Sequence, residues 1–246
     1  MSLVSIIMPY YRKEIFVKDS VKSILNQSYK NFEIILINDD VENKDFIKTI
    51  SNLDNRIKLL HNKKNLGAGE SRNRAIRFTK GDYIAFCDCD DLWKENKLEF
   101  QLNYMKQFDL NFSYTSYDIV DEDNNIINIR KAPSDINFIK LRKSCDIGLS
   151  TVIIKKNILE NNKYQFASLK TKEDYVLWLK LALNGIEMKG IKQSLASWRK
   201  NKNSLSSSTI QKFIDGYKVY KFYLGYGTLK SLFYLIVLSI NFVMKS

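Results

Sequence analysis

Three short polar segments contain residues whose types and spacing suit chemistry, and the clearest of them is acidic. Asp88 and Asp90 follow an apolar run at residues 82–87. In an extended chain, residues two apart lie on one face, so we expect both carboxylates to point the same way. Two adjacent carboxylates repel each other unless a cation compensates them, and oxygen ligands favour Mg²⁺ or Mn²⁺. The pattern predicts a divalent-cation site able to bridge a diphosphate, and a solvated acidic turn before the next helix is the simpler alternative.

A second group of residues is suited to a nucleotide. Asp39 follows an apolar run at residues 32–37, and its carboxylate suits a ribose hydroxyl or a nucleobase N–H. An ordinary turn is the alternative for this residue. Gly67 and Gly69 precede a helical pattern, and the N-terminus of a helix attracts phosphate. Arg72 adds a permanent positive charge to that segment.

The third segment is Glu173-Asp174, which opens an apolar helical pattern at residues 171–184. Acidic residues in a first helical turn often do no more than complement the helix dipole. The functional alternative is a general base that removes a proton from an attacking hydroxyl. Sugar transfer with inversion needs one such carboxylate and no protein nucleophile.

The elements that must position these residues alternate in type along the first part of the chain. Apolar runs predict strands at residues 3–8, 32–37, 57–60 and 82–87. Helical spacing of apolar residues predicts helices at 14–27, 43–53 and 70–79. Short connections between alternating strands and helices predict a mainly parallel sheet covered by helices. Ligands bind at the carboxyl ends of such strands, which is where the acidic segments lie.

The pattern changes after Trp93. We expect a helix at 94–108, a strand at 112–117, a hairpin at 119–130 that turns at 123–125, a strand at 151–155 and the helix at 171–184. Trp93 is expected to anchor the loop after the acidic segment, and Trp178 to lie in the core. Arg199, in a basic segment with Lys200 and Lys202, is a candidate to reach a diphosphate when a loop closes.

In its order of segments, the chain resembles the family 2 glycosyltransferases, which have a GT-A fold. The segments that carry the resemblance are residues 4–11, 23–28, 32–39, 65–73, 81–93 and 173–178. The resemblance covers roughly residues 3–200 and implies an α/β fold with a Rossmann-like, mixed, mainly parallel sheet flanked by helices. It places a GT-A domain at 1–205, with a nucleotide-binding half at about 1–93 and an acceptor half at about 94–205.

The resemblance also implies roles for individual residues. For the nucleotide, it implies that Pro9 and Tyr11 line the pocket, that Asp39 binds the base or ribose, and that Arg72 lies nearby. For the metal, it implies that Asp88 and Asp90 form the Asp-X-Asp element, with Asp90 the direct ligand. For catalysis, it implies that Asp174 is the base, with Glu173 beside it. Two departures affect the expected donor-base contacts but not the reaction class. Residues 38–41 are Asn-Asp-Asp-Val where the family often has Asp-Asp-Gly-Ser, and Arg12 follows Tyr11 where the family favours asparagine.

The activity implied by the resemblance is that of a metal-dependent, inverting hexosyltransferase. It would use Mn²⁺ or Mg²⁺ to move a hexose or N-acetylhexosamine from a nucleotide-diphosphate sugar, by family habit a UDP-sugar. The acceptor would be a hydroxyl of a glycan or a lipid-linked sugar in the synthesis of bacterial surface polysaccharide. A sugar nucleotidyltransferase on a related fold is an alternative, and pyrophosphate release would distinguish it.

The net charge of +12 is concentrated near the C-terminus. Residues 189–246 contain ten Lys or Arg and one acid, Asp215. A basic nucleic-acid-binding module is compatible with this charge, but the sequence contains no recognised nucleic-acid motif, and we expect no nucleic-acid partner. The N-terminus has no pattern typical of a signal peptide, and the odd number of cysteines, three, fits a reducing compartment.

The segment 206–246 is predicted to be a separate helical tail. Its apolar run, residues 231–244, is shorter than the roughly 20 residues that span a bilayer. Tyrosines and phenylalanines interleaved with lysines precede it, which is typical of a membrane interface. We therefore expect a membrane-associating extension that holds a cytoplasmic protein on the anionic inner face of the plasma membrane. The alternative is a helix that packs on the domain or on a second subunit, which leaves a homodimer open.

Overall fold

The computed structural model describes residues 1–201 and 208–244. One mixed sheet runs through this part of the chain, and its strands are β1 (Val4–Tyr10), β2 (Phe32–Asn38), β3 (Ile57–His61), β4 (Tyr83–Phe86), β5 (Leu92–Trp93), β6 (Phe112–Val120), β7 (Ile126–Arg130), β8 (Asp135–Ile136), β9 (Ile153–Lys155) and β10 (Met188–Arg199). The α-helices of the same part are α1 (Glu14–Leu25), α2 (Lys44–Ser51), α3 (Ala68–Ile76), α4 (Lys97–Gln107), α5 (Phe138–Leu141), α6 (Lys156–Leu159), α7 (Glu173–Leu183), α8 (Thr209–Lys218) and α9 (Thr228–Met244).

The first half of the sheet is parallel, as the alternating pattern predicts. Its strand order is β3-β2-β1-β4. All seven residues of β1 and of β2 are buried, because helices cover both faces. Helices α1, α2 and α4 pack on one face, and α3 and α7 pack on the other. The carboxyl ends of the four strands therefore meet at one edge.

The second half of the sheet is mixed and continues the order as β9-β6-β10-β5. Strand β9 is antiparallel to both β4 and β6, while β10 is parallel to β6. The predicted turn is confirmed, because β6 and β7 pair around residues 121–125. The strand predicted at 112–117 is not separate from the hairpin: it continues to Val120 as β6 and forms the first arm. The structure thus confirms the expected mixed, mainly parallel α/β fold.

Strand β10 is absent from the sequence-based prediction, although it is the longest strand described. It spans 12 residues and connects β6 to β5. Its register against β6 shifts between Ile191 and Ser194 and again between Ser194 and Ala196. These irregularities break the alternation of buried and exposed side chains by which a strand is recognised.

Trp178 lies at the centre of the core on the α7 side of the sheet. It is fully buried, and its ring contacts Phe86, Phe112 and Phe166 at centroid distances of 6.3, 5.0 and 6.2 Å. Edge-on and tilted rings at these distances attract each other in addition to burying apolar surface. The expectation that Trp178 belongs to the core is confirmed.

The C-terminal helices pack on the domain with one face only. Tyr234 and Leu238 of α9 are buried in the core cluster, and the Asn241 side chain donates to the Lys143 carbonyl at 2.9 Å. The opposite face of α9 exposes a stripe of apolar side chains: Leu229, Leu232, Phe233, Ile236, Ile240 and Val243. Within residues 1–201 and 208–244, no helix has the length and apolar character required to cross a membrane.

Candidate active site

An acidic turn, residues 88–91, follows β4 and is fixed by a distant segment. The Asp88 N–H donates to Ser150 Oγ at 3.0 Å, and Ser150 Oγ donates to Asp91 Oδ2 at 2.5 Å. The Trp93 indole N–H donates to the Ser150 carbonyl at 2.8 Å, which confirms Trp93 as an anchor of this loop. The geometry of the turn is therefore set by protein contacts.

Arg199 also holds the acidic turn. Its backbone N–H donates to Asp91 Oδ1 at 3.1 Å, and its Nε donates to the Asp90 carbonyl at 2.9 Å. Its Nη1 donates to the Glu122 carbonyl at 3.0 Å. We expected Arg199 to lie on a loop that closes over a diphosphate. This expectation is wrong, because Arg199 is buried at the end of strand β10. Lys202, part of the same hypothesis, lies outside the described residues.

The two predicted metal ligands each contact a cation of the protein. Asp88 accepts from Arg72 Nη2 at 2.6 Å, and Asp90 pairs with Lys13 Nζ at 2.9 Å. Burial, and then the charge of Asp88, raises the pKa of Asp90 even though Lys13 opposes the shift. The ionised form of Asp90 is therefore disfavoured by its burial and by the neighbouring carboxylate, despite the pair with Lys13.

The donor set suits a hard divalent ion that shares its coordination with a ligand. Asp88 and Asp90 supply carboxylate oxygens, and their side chains are 34% and 16% exposed. Within residues 1–201 and 208–244, no group of three His, Cys, Asp or Glu side chains has metal-binding geometry. Mg²⁺ is commonly held by one or two carboxylates together with substrate phosphates, and the oxygen chemistry of these two residues suits that ion. The two carboxylates contact different cations, and the expectation that they point the same way stays a prediction.

Arg72 joins the acidic turn to helix α7. It is almost fully buried, and its Nη1 donates to Glu173 Oε1 at 2.7 Å while its Nη2 reaches Asp88. Burial alone lowers the pKa of Arg72, but the charges of Asp88 and Glu173 outweigh burial and keep its pKa above the ordinary value. A buried guanidinium between two carboxylates fixes both of them in position.

Gly69 allows α3 to approach α7 closely enough for this bridge. A Cβ added at Gly69 would lie 2.6 Å from the Ala167 carbonyl oxygen and 3.2 Å from Glu173 Cβ. The first distance is shorter than van der Waals contact permits. Glycine is therefore required here for packing, beside the residue that Arg72 holds.

Asp174, the proposed base, lies in the first turn of α7 next to Glu173. One of its oxygens accepts the Tyr175 N–H at 2.7 Å. Burial, and then the charge of Glu173, raises the pKa of Asp174 to about 7, with Arg72 acting in the opposite direction. A carboxylate with a pKa near neutrality is well matched to accept a proton at physiological pH.

Asp88 and Asp174 face one cavity of about 820 Å³, which Asp91 also lines. We call it the main cavity. These carboxylates come from the end of β4 and the start of α7, elements that are far apart in sequence. The sequence-based expectation of one cleft concerned Asp39, Asp90 and Asp174. Of these three, Asp174 lines the main cavity, together with Asp88, whereas Asp39 and Asp90 do not line it, and neither does Glu173.

Asp39 is buried beside the loop that precedes α3. Its carboxylate accepts from the Asn62 amide at 2.7 Å and from the backbone N–H groups of Leu66 and Gly67 at 2.7 and 2.8 Å. Gly67 has a φ of +82°, a left-handed conformation that favours glycine. In this structure Asp39 shapes the glycine loop, and its role as a nucleotide contact stays a prediction.

Pro9 and Tyr11 lie at the end of β1, next to β2. Pro9 is buried opposite Ile37, and the Tyr11 ring is exposed with the Arg12 guanidinium 5.2 Å from its centre. Tyr11 and Asp39 directly follow the last paired residues of adjacent strands. Their shared edge agrees with a common nucleotide pocket, which stays a prediction because neither residue lines the main cavity.

Sequence reasoning missed several residues of the main cavity. Ser150, Lys172, Trp198, Lys212 and Phe242 all line it. Lys172 directly precedes the Glu173-Asp174 pair, and that proximity is the one signal that could have identified it. The other four belong to segments that no short motif connects to the acidic turn.

Similarity to solved structures confirms the fold class. The structure of S. aureus TarS residues 1–349 in complex with UDP-GlcNAc matches with a TM-score of 0.75 at 19% identity, over 96% of this chain and 70% of that one. The mannosyltransferase PcManGT from Pyrobaculum calidifontis, in complex with GDP-Man and Mn²⁺, matches with a TM-score of 0.70 at 14% identity, over 94% of this chain and 69% of that one. The fold defined by these neighbours is GT-A.

Sequence comparisons then identify the family. The model of Glycosyl transferase family 2 matches residues 5–164, and the chain belongs to this family. Escherichia coli UDP-Glc:alpha-D-GlcNAc-diphosphoundecaprenol beta-1,3-glucosyltransferase WfgD is 37% identical over 84% of this chain and 80% of its own length. The putative teichuronic acid biosynthesis glycosyltransferase TuaG of Bacillus subtilis is 32% identical over 84% of this chain and 82% of its own length. The family assignment favours glycosyl transfer over the nucleotidyltransferase and nucleic-acid alternatives.

Proposed function

We propose that this glycosyltransferase moves a hexose or N-acetylhexosamine from a UDP-sugar to a hydroxyl of a glycan or lipid-linked acceptor, with inversion. The observation that carries the proposal is that Asp88 and Asp174 face one cavity and are joined through Arg72 and Glu173. The E. coli relative is named for a UDP-Glc donor and a diphosphoundecaprenol-linked acceptor, and the B. subtilis relative for teichuronic acid. These names support a role in cell-surface polysaccharide synthesis.

In the proposed mechanism Asp174 accepts the proton of the attacking acceptor hydroxyl. Its pKa of about 7 makes it a competent base near neutral pH. Glu173 is occupied by its ion pair with Arg72 and positions the start of α7. Because the hydroxyl attacks from the face opposite the leaving group, one displacement inverts the anomeric carbon without a protein nucleophile.

Asp88 and Asp90 would hold Mn²⁺ or Mg²⁺ together with the donor diphosphate. A bound ion would supply positive charge to the departing diphosphate. Arg72 and Lys13 reduce the repulsion between the two carboxylates and the phosphates. Pro9, Tyr11 and Asp39 lie at the neighbouring strand ends, where we place the nucleoside.

A donor panel tests the proposal. Wild-type protein with Mn²⁺ or Mg²⁺ should release UDP from one UDP-sugar in the presence of acceptor, and the product should have the anomeric configuration opposite to that of the donor, read by NMR. Asp90→Ala should lose metal-dependent activity, while Asp45→Ala on the exposed surface of α2 should keep it. Pyrophosphate release would instead indicate nucleotidyl transfer, and retained configuration would contradict the single displacement.

We also propose that α9 holds the enzyme on the anionic inner face of the plasma membrane. One face of α9 is fixed to the domain, so its exposed apolar stripe is presented outward as a rigid surface. Lys221 and Lys230 lie in the adjoining turns, where cations attract anionic headgroups. An amphipathic helix that lies in the interface needs no membrane-spanning length.

Vesicle flotation tests this attachment. Phe233→Ser/Ile236→Ser/Ile240→Ser should lose binding to phosphatidylglycerol vesicles. The matched control, Leu53→Ser/Phe78→Ser/Phe108→Ser, removes exposed apolar groups elsewhere and should still float. Unchanged flotation of the α9 variant would overturn the proposal. If the wild-type protein is a dimer and the same variant is a monomer, α9 would instead be a subunit interface.

A further inference from the structure

The main cavity contains cations that the proposed transfer chemistry does not use. Arg130 of β7, Lys172 before α7 and Lys212 of α8 line it, and we call these three residues the basic cluster. The Arg130 guanidinium and the Lys212 ammonium lie 5.9 and 5.3 Å from the centre of the Phe242 ring. Arg130 and Lys212 therefore lie beside the last turn of α9.

Lys172 and Lys212 line the same part of the cavity wall, along α8. The Lys172 stem runs along α8, where a Cβ added at Gly216 would be 3.7 Å from Lys172 Cε. Lys212 is one helical turn before Gly216 and thus on the same face of α8. Burial, and then the charge of Lys172, lowers the pKa of Lys212. Two like charges held together in this way repel each other unless an anion joins them.

Within residues 1–201 and 208–244, neither lysine forms an ion pair with a carboxylate. Lys172 also has a φ of +63°, a left-handed backbone conformation that is unfavourable for a residue with a side chain. Strain of this kind is concentrated at ligand sites. Repulsion and strain thus occur together at one residue, two positions before the proposed base.

The field of the cluster reaches the proposed base. The pKa of the Cys145 thiol is raised to about 12, first by burial and then by Asp174, while Lys172 and Arg130 act in the opposite direction. The Cys145 thiol therefore lies close enough to Asp174, Lys172 and Arg130 for all three charges to act on it. An anion bound by the cluster would be close to the hydroxyl from which Asp174 takes its proton.

We propose that the basic cluster binds the diphosphate of a prenyl-diphosphate-linked acceptor. This inference rests on the proposed function, because it places the acceptor sugar at Asp174 and its diphosphate at the cluster. Phosphate oxygens are the natural partners of two ammonium groups and a guanidinium. The Phe242 ring, beside two of the cations, belongs to the helix whose outer apolar stripe faces the membrane in our proposal. The prenyl chain would therefore leave the cavity along α9 toward the bilayer.

The test measures binding of farnesyl diphosphate by calorimetry, with saturating UDP and Mg²⁺ present to fill the donor site. Farnesyl diphosphate should bind, and farnesol should bind at least about tenfold more weakly, because charge-assisted hydrogen bonds contribute on that scale. Lys172→Gln/Lys212→Gln should weaken farnesyl diphosphate binding at least about tenfold. The control Lys18→Gln/Lys48→Gln removes the same charge from exposed positions of α1 and α2 and should bind like wild type.

Each contrary result has a distinct meaning. Unchanged farnesyl diphosphate affinity in Lys172→Gln/Lys212→Gln would overturn the proposal. An equal loss of UDP affinity in this variant would assign the cluster to the donor diphosphate. A loss of binding to phosphatidylglycerol vesicles would assign the cluster to lipid headgroups. Either of these results would also overturn the proposal. If the proposed transfer reaction is wrong, no donor will give UDP release. That outcome is measured independently and does not change the farnesyl diphosphate affinities.

Discussion

The carboxylates and the cations of the main cavity are held in contrasting ways. Asp88 is paired with Arg72 and Asp91 with Ser150, so the acidic side is fixed by the protein itself. Lys172 and Lys212 form no ion pair within the described part of the chain. Groups that act on a transition state benefit from being fixed in advance, whereas groups that bind a charged ligand gain from having no internal partner. We therefore expect substitutions on the acidic side to affect rate and folding, and substitutions in the basic cluster to affect ligand affinity.

The largest expected effect comes from Asp174→Asn. The amide keeps the shape of the carboxylate but cannot accept the proton, so kcat should fall on the order of 10³-fold. Donor affinity should change little, because Asp174 lies on α7 and not in the acidic turn. Steady-state kinetics and UDP titration separate the two quantities. A near-normal kcat would show that the base is another residue.

Arg72→Gln should cause the next largest effect. The substitution leaves Asp88 and Glu173 without their shared buried cation, and the free energy of unfolding should fall by about 3 kcal/mol. The matched control is Arg56→Gln, which breaks a more exposed pair with Asp54 and should cost less than about 1 kcal/mol. Urea denaturation measures both. Similar losses for the two variants would show that the buried Arg72 bridge contributes no more to stability than a partly exposed ion pair.

The pH dependence of kcat/KM should reflect the raised pKa of Asp174. Below a pH of about 7 the carboxyl group is protonated and cannot act as a base, so kcat/KM should fall about tenfold per pH unit and level off above. The effect on stability has the opposite sign. The folded protein binds the proton more tightly than the unfolded chain, so the contribution of Asp174 to stability is lost as pH rises through about 7. Asp174→Asn should therefore be more stable than wild type at pH 8, and equal melting temperatures would contradict the pKa shift.

The smallest expected effect is on the folding stability of Lys172→Gln/Lys212→Gln. Removing two repelling charges should leave the free energy of unfolding within about 0.5 kcal/mol of wild type or raise it slightly. Urea denaturation in the absence of ligand measures this change. A loss as large as that of Arg72→Gln would show that the lysines serve the fold, and would remove the contrast between the two sides of the cavity.

The sequence predicts the parallel half of the sheet well because its signals are local. Strand β4 is apolar throughout, and β1 and β2 are mostly apolar, interrupted by Ser5 in β1 and by Glu33 and Asn38 in β2; the helices between the strands have regular apolar spacing. The acidic turn and the start of α7 were identified from residue types and order. Their meeting at one cavity follows from the rule that strand ends share an edge, together with the family resemblance.

The remaining parts could not be predicted because they depend on pairings over long distances. Arg72 and Glu173 are 101 residues apart, and no local pattern indicates that one guanidinium bridges Glu173 and Asp88. Strand β10 lacks a regular alternation because of its register shifts, so Arg199 was placed in a loop. For α9 the sequence left two alternatives open. The structure shows that one face packs on the domain while the other is exposed, a division that depends on Tyr234 and Leu238.

Gly69 has a consequence for how this enzyme should tolerate variation. Any side chain at this position collides with the Ala167 carbonyl, and the collision is relieved only if α3 and the segment that carries Ala167 move apart. A shift of α3 would pull Arg72 from Glu173, and the start of α7, which carries the proposed base, would lose this support although no reacting atom has been altered. In a saturation screen that scores growth, Gly69 should be as intolerant as Asp174 itself. Suppressors of Gly69 variants should then map to the segment around Ala167, and not to the carboxylates of the proposed mechanism.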